Sequence, residues 1–387
     1  MSKEKIFVIS GEDSGDLHGA KLIASIKQIN PEAEFFGIGG NRMQREGLQL
    51  TEHIKNLNVI GIFEVVKHYS RIKKIFNNTV NEIKKINPDK VILIDYPGFN
   101  LRLAKKLSTL NMDITYFILP QVWAWKESRI KTLQHCCKKL ISIIPFEQKW
   151  FSKKNISVHY AGHPLSELSN LTFNRGSFCE KHGIPEENKI IVLMPGSRSI
   201  EIRRHWRIFE KTVQILQKQH QNLSFVLLEG DNVKINSGED VIKIRQNQYE
   251  AIGVADAAVV CSGTATLETA MLKCPMVVCY KLSFPTWILA QMLSKVKYLS
   301  LANLIAEDKV VDEYLQNQMS AKNLAGGVDS LLKNENRDII IKKYNRLIEK
   351  LKTDENPYAS AARYIYCLLY TSPSPRDVST SRMPSSA

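Results

Sequence analysis

The feature that most limits what this chain can become is a recurring unit, a short apolar run that ends in turn residues and gives way to a helical pattern. KIFVIS (5–10), AEFFGIGG (33–40), DKVILID (89–95), DITYFILP (113–120), KLISIIP (139–145) and SVHYAG (157–162) form a first series of such runs. The stretches between them, such as DLHGAKLIASIKQI and NLRLAKKLSTL, are apolar at i, i+3, i+4 and i+7. This alternation predicts βαβ units and a parallel sheet.

A second series follows, with KIIVLMPGS (189–197), LSFVLLEG (223–230), DVIKI (240–244), AAVVCSG (257–263) and PMVVCYKL (275–282). The polar stretch 171–189 joins the two. At 387 residues the chain is long enough for two ordinary domains and too long for one core. The expected architecture is α/β, two Rossmann-like, doubly wound domains over 1–170 and 185–345, facing across a cleft at the carboxyl ends of their sheets. A helical segment is expected over 346–369. The Ser/Pro-rich tail 370–387 has almost no apolar side chains, differs in character from the rest and reads as disordered and non-native.

No apolar run approaches the about eighteen residues that span a bilayer, and the start, MSKEKIFVIS, reads as a first strand and not as a signal peptide. The seven cysteines are scattered, with no CxxC pair and no Cys/His ligand spacing, which fits reduced thiols and no metal site. A net charge of +14 suits nucleic acid, an anionic membrane or anionic substrates, and equally a solvated basic surface. No nucleic-acid-binding signature accompanies the charge.

Several motifs sit where strands would end. VILIDYPGFN (91–100) runs an apolar strand into Asp95 before Pro97-Gly98, which suits either a turn former or a base at the mouth of a cleft. ISGEDSGDLHG (9–19) offers a Gly-rich turn, with Asp13, Ser14 and Asp16 as helix N-caps and backbone amides free to hold oxygens. In AVVCSGTATLE (258–268), Ser262-Gly263-Thr264 opens a helix whose amides and dipole favour a diphosphate. Glu268, one turn further on, is placed for ribose hydroxyls, or the segment is an ordinary capped helix with a solvated Glu. In LMPGSRSIEI (193–202), Arg198 is placed to neutralise a leaving diphosphate, or simply pairs with Glu201.

Trp123 and Trp125 floor a sugar or acyl site or, more commonly for such residues, belong to the core. His163 in AGHPL touches a nucleotide or caps a turn. In 62–76, Ile62, Val65, Val66, Tyr69, Ile72 and Phe76 share one helical face, with Lys67, Arg71, Lys73 and Lys74 around it. That layout suits an interfacial membrane helix, and an ordinary core-facing helix looks the same.

Taken in order, GEDSGD (11–16), GIGGNRMQREG (37–47), IDYPGFN (94–100), PQVWAWKESR (120–129), GHPL (162–165), PGSRSIEI (195–202), SGTATLE (262–268) and NLIAEDKVVDEYLQ (303–316) resemble the lipid-A-disaccharide synthase family. The resemblance extends to about residue 368. It implies an inverting, two-Rossmann (GT-B) glycosyltransferase that needs no metal or organic cofactor. It implies UDP-2,3-diacylglucosamine as donor, 2,3-diacylglucosamine 1-phosphate as acceptor, and a β(1→6) tetraacyl disaccharide 1-phosphate and UDP as products. It further implies peripheral association with the cytoplasmic face of the inner membrane of a Gram-negative bacterium, contact with anionic lipid, no nucleic acid, and room for a homodimer.

Carried over residue by residue, the resemblance makes Asp95 the general base and Arg198 the stabiliser of the leaving phosphate. Ser197, Ser262, Gly263, Thr264, Glu268, Asn303, Glu313 and Gln316 fall to the UDP donor. Glu12 and Ser14 fall to the sugars or acceptor phosphate, and Asn100 supports Asp95. The 62–76 helix becomes the contact for membrane and acyl chains. The chain departs from the family at Ala302, where proline is usual, and at Ile60, where methionine is frequent. A UDP-GlcNAc 2-epimerase is the nearest rival reading, a non-catalytic lipid- or nucleotide-binding protein another, and a nucleic-acid binder a third.

Overall fold

The computed structural model describes residues 3–57, 69–230, 234–238, 240–293 and 296–366. Ile60, Ile62, Val65, Val66, Lys67 and the tail 370–387 lie outside them.

Each expected apolar run forms a strand, usually trimmed at its ends. The first sheet comprises β1 (Lys5–Ile9), β2 (Glu34–Gly39), β3 (Leu48–His53), β4 (Lys90–Ile94), β5 (Ile114–Phe117), β6 (Lys139–Ser142) and β7 (His159–Tyr160). Their order is β3-β2-β1-β4-β5-β6-β7, and every pairing is parallel. The second comprises β8 (Lys189–Met194), β9 (Leu223–Leu228), β10 (Val241–Ile244), β11 (Ala257–Cys261), β12 (Met276–Tyr280) and β13 (Asp312–Leu315), ordered β10-β9-β8-β11-β12-β13, again all parallel.

The topology has one consequence that decides where chemistry can occur. From β1 the chain winds outward through β2 and β3, then returns to lay β4 on the other side of β1. The connections after β1 and β4 therefore diverge, leaving a crevice at the carboxyl ends of these two strands. The second sheet repeats the device between β8 and β11. Both sheets are buried on both faces, and core residues such as Phe7, Ile9, Val91 and Leu93 pack against helices on one side while Ile6, Val8, Ile92 and Ile94 pack on the other.

Two edge strands, β3 and β13, have no counterpart among the expected runs. LQLTEH and DEYL are half polar, as an edge open to water permits, so neither produces a continuous apolar signal. One helix runs unbroken over Asn334–Leu351, across the boundary expected at 345/346. Its buried Tyr344, Leu347, Ile348 and Leu351 belong to the core of the second domain. The following helix, Pro357–Tyr366, instead crosses back, burying Tyr358, Ala361, Ala362 and Ile365 against the first domain. Trp123 and Ile144 extend from the first domain into the second domain's core, so the two units are packed together and not merely tethered.

Candidate active site

At the first crevice, β4 ends in two successive residues with left-handed backbone, Asp95 (φ 43°) and Tyr96 (φ 48°). Non-glycine residues hold this conformation only where their surroundings enforce it. Here the Asp95 main-chain oxygen accepts from Tyr116 Oη at 2.7 Å and from Asn100 Nδ2 at 2.8 Å. The Asp95 N–H donates to Phe117 O at 3.1 Å. The Tyr96 ring lies over Gly11, where a Cβ would come within 2.2 Å of it. Glycine at that turn is therefore a requirement of close approach, not of backbone angle.

With its backbone engaged, Asp95 keeps its carboxylate for the crevice. Burial, reinforced by the nearby Glu12 carboxylate, pushes its carboxyl up to about 6. Glu12 is exposed at the start of the helix Asp13–Ile29, and Ser14 is exposed in its first turn. Asp16 was expected to cap that helix. It is instead buried and accepts from the N–H groups of Gly40 (2.6 Å), Arg42 (3.0 Å) and Met43 (3.1 Å), capping the next helix, Asn41–Arg45. It fixes the two turns to each other.

At the second crevice, the turn after β8 places Ser197 and Arg198 in the open at the start of the helix Ser199–Gln219. Arg198 Nη1 lies 3.7 Å from Glu201 Oε1, with its side chain 60% exposed, so the pairing with Glu201 is real but loose and the guanidinium stays accessible. Glu201 is steadied by Tyr280 Oη at 3.1 Å. Below this turn, the fully buried His205 joins three strand ends. Its Nδ1 is 2.9 Å from Pro195 O, and its Nε2 is 3.2 Å from both the backbone nitrogen and the backbone oxygen of Lys281. Cys261 Sγ lies 3.5 Å from the same Nδ1. Nothing in the sequence distinguished His205, whose role depends on three chain segments meeting.

Beside it, Ser262-Gly263-Thr264 begins the helix Thr264–Met271, with Gly263 and Thr264 exposed. Ser262 Oγ donates to Leu299 O at 3.1 Å and its N–H to Cys279 O at 3.0 Å, so Ser262 is engaged, while Gly263 and Thr264 are exposed at the start of the helix. The Glu268 carboxylate has no hydrogen-bond partner among the described residues, and burial raises its carboxyl above the ordinary range.

Three residues expected at the donor are engaged elsewhere. Asn303 is fully buried and uses all four of its side-chain hydrogen-bonding positions. Its Nδ2 donates to Val311 O and Glu313 Oε1, and its Oδ1 accepts from the N–H groups of Val310 and Val311. Glu313 accepts from Leu299 N, Ser300 N, Ser300 Oγ and Asn303 Nδ2, all at 2.8–2.9 Å. With its amide in the satisfying orientation, Gln316 pairs with both backbone groups of Leu282. These side chains hold loops around the crevice; Asn303 has no side-chain position left over, while Glu313 Oε2 accepts a single bond, from Leu299 N. Ala302 is buried in the first turn of the helix Leu301–Ala306, where the backbone N–H lacks a helical partner and proline and alanine are interchangeable in hydrogen bonding.

The tryptophans separate. Trp123 is core, donating to the buried Glu147 at 2.7 Å, whereas Trp125 is 46% exposed. His163 is buried and caps a turn, accepting the Leu165 N–H at 3.1 Å. Of the expected membrane face, Ile72 and Phe76 are half-buried against the first domain's core, Phe76 meeting Phe99 edge-on at 5.5 Å. Arg71, Lys73 and Lys74 are exposed. Apolar exposure is also present on the helix Phe284–Leu293, just after β12, where Phe284 is 76% and Ile288 41% exposed.

Among the described residues, no helix is long and apolar enough to cross a membrane, and no cluster of His, Cys, Asp and Glu is arranged to hold a metal ion.

The family model for lipid-A-disaccharide synthetase matches residues 6–364. A lipid-A-disaccharide synthase of Coxiella burnetii (strain CbuG_Q212) is 31% identical over 377 residues, covering 96% of this chain and 100% of the relative. Lipid-A-disaccharide synthase 1 of Legionella pneumophila (strain Lens) is 35% identical over 361 residues, covering 91% and 94%. Among solved structures, the calicheamicin glycosyltransferase CalG4 superposes with a TM-score of 0.58 at 11% identity, over 95% of this chain and 98% of that one. The UDP-GlcNAc 2-epimerase of Neisseria meningitidis, solved with UDP-GlcNAc, gives 0.58 at 13% identity, over 94% and 98%. At such identities these two establish a shared fold and nothing finer.

Proposed function

Because the chain belongs to the lipid-A-disaccharide synthetase family, we propose that its two crevices divide the work of one glycosyl transfer, acceptor at Asp95 and UDP-sugar at Arg198 and Ser262–Thr264. The chain is a glycosyltransferase of lipid A biosynthesis. Its donor is UDP-2,3-diacylglucosamine and its acceptor 2,3-diacylglucosamine 1-phosphate. The observation that carries this reading is Asp95, a carboxylate at a topological switch point whose backbone is clamped and whose proton affinity is raised to about 6.

The acceptor 6-hydroxyl attacks the donor's anomeric carbon from the face opposite UDP. Its oxygen forms the new C–O bond as the bond from C1 to the diphosphate oxygen breaks. Asp95 accepts the hydroxyl proton, and a base with pKa near 6 is both ionised at neutral pH and basic enough to share that proton. The electron pair of the broken bond leaves on the UDP β-phosphate. The exposed Arg198 guanidinium and the amides opening the helix Thr264–Met271 supply positive charge for it. Glu268, unpartnered, is the acceptor for ribose hydroxyls.

Both substrates carry long acyl chains, so the reaction belongs at the cytoplasmic face of a membrane. Exposed Arg71, Lys73 and Lys74 suit anionic headgroups, and exposed Phe284 and Ile288 suit acyl chains. The test is a mass-spectrometric assay with both lipids in mixed micelles. A tetraacyl disaccharide phosphate formed in equal amount with UDP supports the reading. Conversion of UDP-sugar to its 2-epimer without disaccharide, or binding of UDP without product, rejects it.

A further inference from the structure

In the loop after the strand beside Asp95's, one cluster carries charge without counter-charge. The loop after β5 exposes Trp125, with Lys126 Nζ 4.7 Å and the Arg129 guanidinium 5.8 Å from its ring centre. Lys126 has left-handed backbone, φ 56°, where it opens the tight turn Glu127–Arg129. A non-glycine residue keeps that conformation only when held there. Among the described residues neither cation has a carboxylate partner, and Glu127 is paired with Lys154. Stacking on an indole positions a cation without neutralising it, so both charges remain available to an anion.

Position gives this cluster meaning. β5 lies beside β4, and its Tyr116 bonds the Asp95 main chain. The positive field of Arg129 reaches that same Tyr116 hydroxyl, opposing the effect of its burial. The loop that carries these cations therefore leaves the strand beside the one that Asp95 ends, and Arg129 lies close enough to act on Tyr116.

We propose that Arg129 and Lys126 seat a phosphate monoester on the acceptor sugar while Trp125 packs against the sugar ring. A guanidinium fork matches phosphate oxygens two at a time, and an exposed indole offers a flat apolar surface with its edge in water. This inference rests on the acceptor assignment made above. The same cations would also suit the phosphate of a membrane lipid, and the experiment separates the two sources.

Arg129→Ala is assayed with the phosphorylated acceptor and with the same diacylglucosamine lacking its 1-phosphate. The acceptor KM rises about tenfold or more, as loss of a charge-assisted contact to phosphate predicts. kcat and the donor KM stay close to those of the unaltered protein, and both proteins use the dephosphorylated acceptor equally. Arg129→Lys, which keeps charge but not the fork, recovers part of the loss. Equal losses on both acceptors, or a raised donor KM, overturn the proposal. An unchanged acceptor KM with weaker binding to phosphatidylglycerol vesicles assigns the cations to the membrane and also overturns it. If the unaltered protein makes no disaccharide, the transfer reading fails separately, and tryptophan fluorescence decides the subsite. Quenching by glucosamine 1-phosphate but not by glucosamine, lost in Arg129→Ala and in Trp125→Phe, supports it, and an equal response to both sugars overturns it.

Discussion

The hydroxyl of Tyr116 donates a 2.7 Å hydrogen bond to the main-chain oxygen of Asp95. Tyr116 is fully buried, on the strand next to the one that Asp95 terminates. The bond holds the peptide after Asp95 in its left-handed turn, and so decides where the carboxylate points. Tyr116→Phe removes it without changing the packing of the ring. The expected result is a loss of about 1 kcal/mol of stability and a fall of about tenfold in kcat, because a displaced base loses rate steeply. Both KM values should hold, since no substrate contact is removed. Thermal melts and steady-state kinetics check this, and an unchanged kcat would show that Asn100 alone sets the geometry.

Asp95→Asn keeps the shape of the turn and removes the base. Turnover should fall by on the order of 10² to 10⁴ with UDP-sugar binding intact. In the unaltered protein kcat/KM should rise with pH through about 6 as Asp95 ionises, then level off, and the variant should lack that limb. Stability should move the other way. A raised carboxyl favours the fold at pH below its unfolded value and loses that contribution as pH climbs toward 6. At pH 8 the variant, free of repulsion from Glu12, should melt no lower than the unaltered protein. Titrated kinetics and calorimetry test the two halves independently.

Gly11→Ala places a methyl within 2.2 Å of the Tyr96 ring. The ring cannot yield easily, because its hydroxyl reaches Leu57 O at 3.2 Å and its face meets Phe99. The expected cost is about 1–3 kcal/mol, with activity falling further than stability because the displaced residue adjoins Asp95. Retention of full activity and melting temperature would mean that the ring has room to swing aside.

What the sequence made legible follows from physics that acts locally. Strands buried on both faces announce themselves as apolar runs, and Asp95, Arg198 and Ser262–Thr264 were visible because they interrupt such runs at the carboxyl end. The half-polar edges β3 and β13 were not visible. Neither was the fate of Asp16, which bonds amides more than twenty residues away. Asn303 and Glu313 carried the polarity of ligand contacts, yet they satisfy each other and nearby backbone. His205 was silent because its three partners lie at three separate strand ends. Polarity in a motif shows that a group needs partners, and only the fold shows whether those partners are protein or ligand.

Arg198→Ala should lower kcat by on the order of 10² to 10³, the loss typical of removing one donor to developing charge. Its side chain is 60% exposed and its bond to Glu201 is long, so the melting temperature should barely move. Arg198→Lys should recover a minor part of the rate, since a point charge cannot match two phosphate oxygens. A variant with normal kcat and only a higher donor KM would show that Arg198 binds the ground state and does not act on the leaving group.

Glu147 offers a test of how the domains are joined. It is fully buried, bonded to Trp123 Nε1 at 2.7 Å and to Ser142 Oγ, and Trp123 reaches into the core of the second domain. Burial outweighs those two hydrogen bonds and pushes its carboxyl from about 4.5 up to about 7. The folded protein therefore holds a proton that the unfolded chain releases. Stability from this group is complete below about pH 4.5, declines as pH rises, and is gone above about 7, a span of roughly 3 kcal/mol at most. Glu147→Gln can still accept from Trp123 and can donate to Ser142 Oγ, which remains free to bond Ile144 O at 3.0 Å. The variant should match the unaltered protein near pH 5 and melt higher at pH 8, with a flatter dependence between. Melting curves across that range decide it. Parallel curves would mean that Glu147 ionises in the folded state at no cost, and hence that water reaches the contact between the domains.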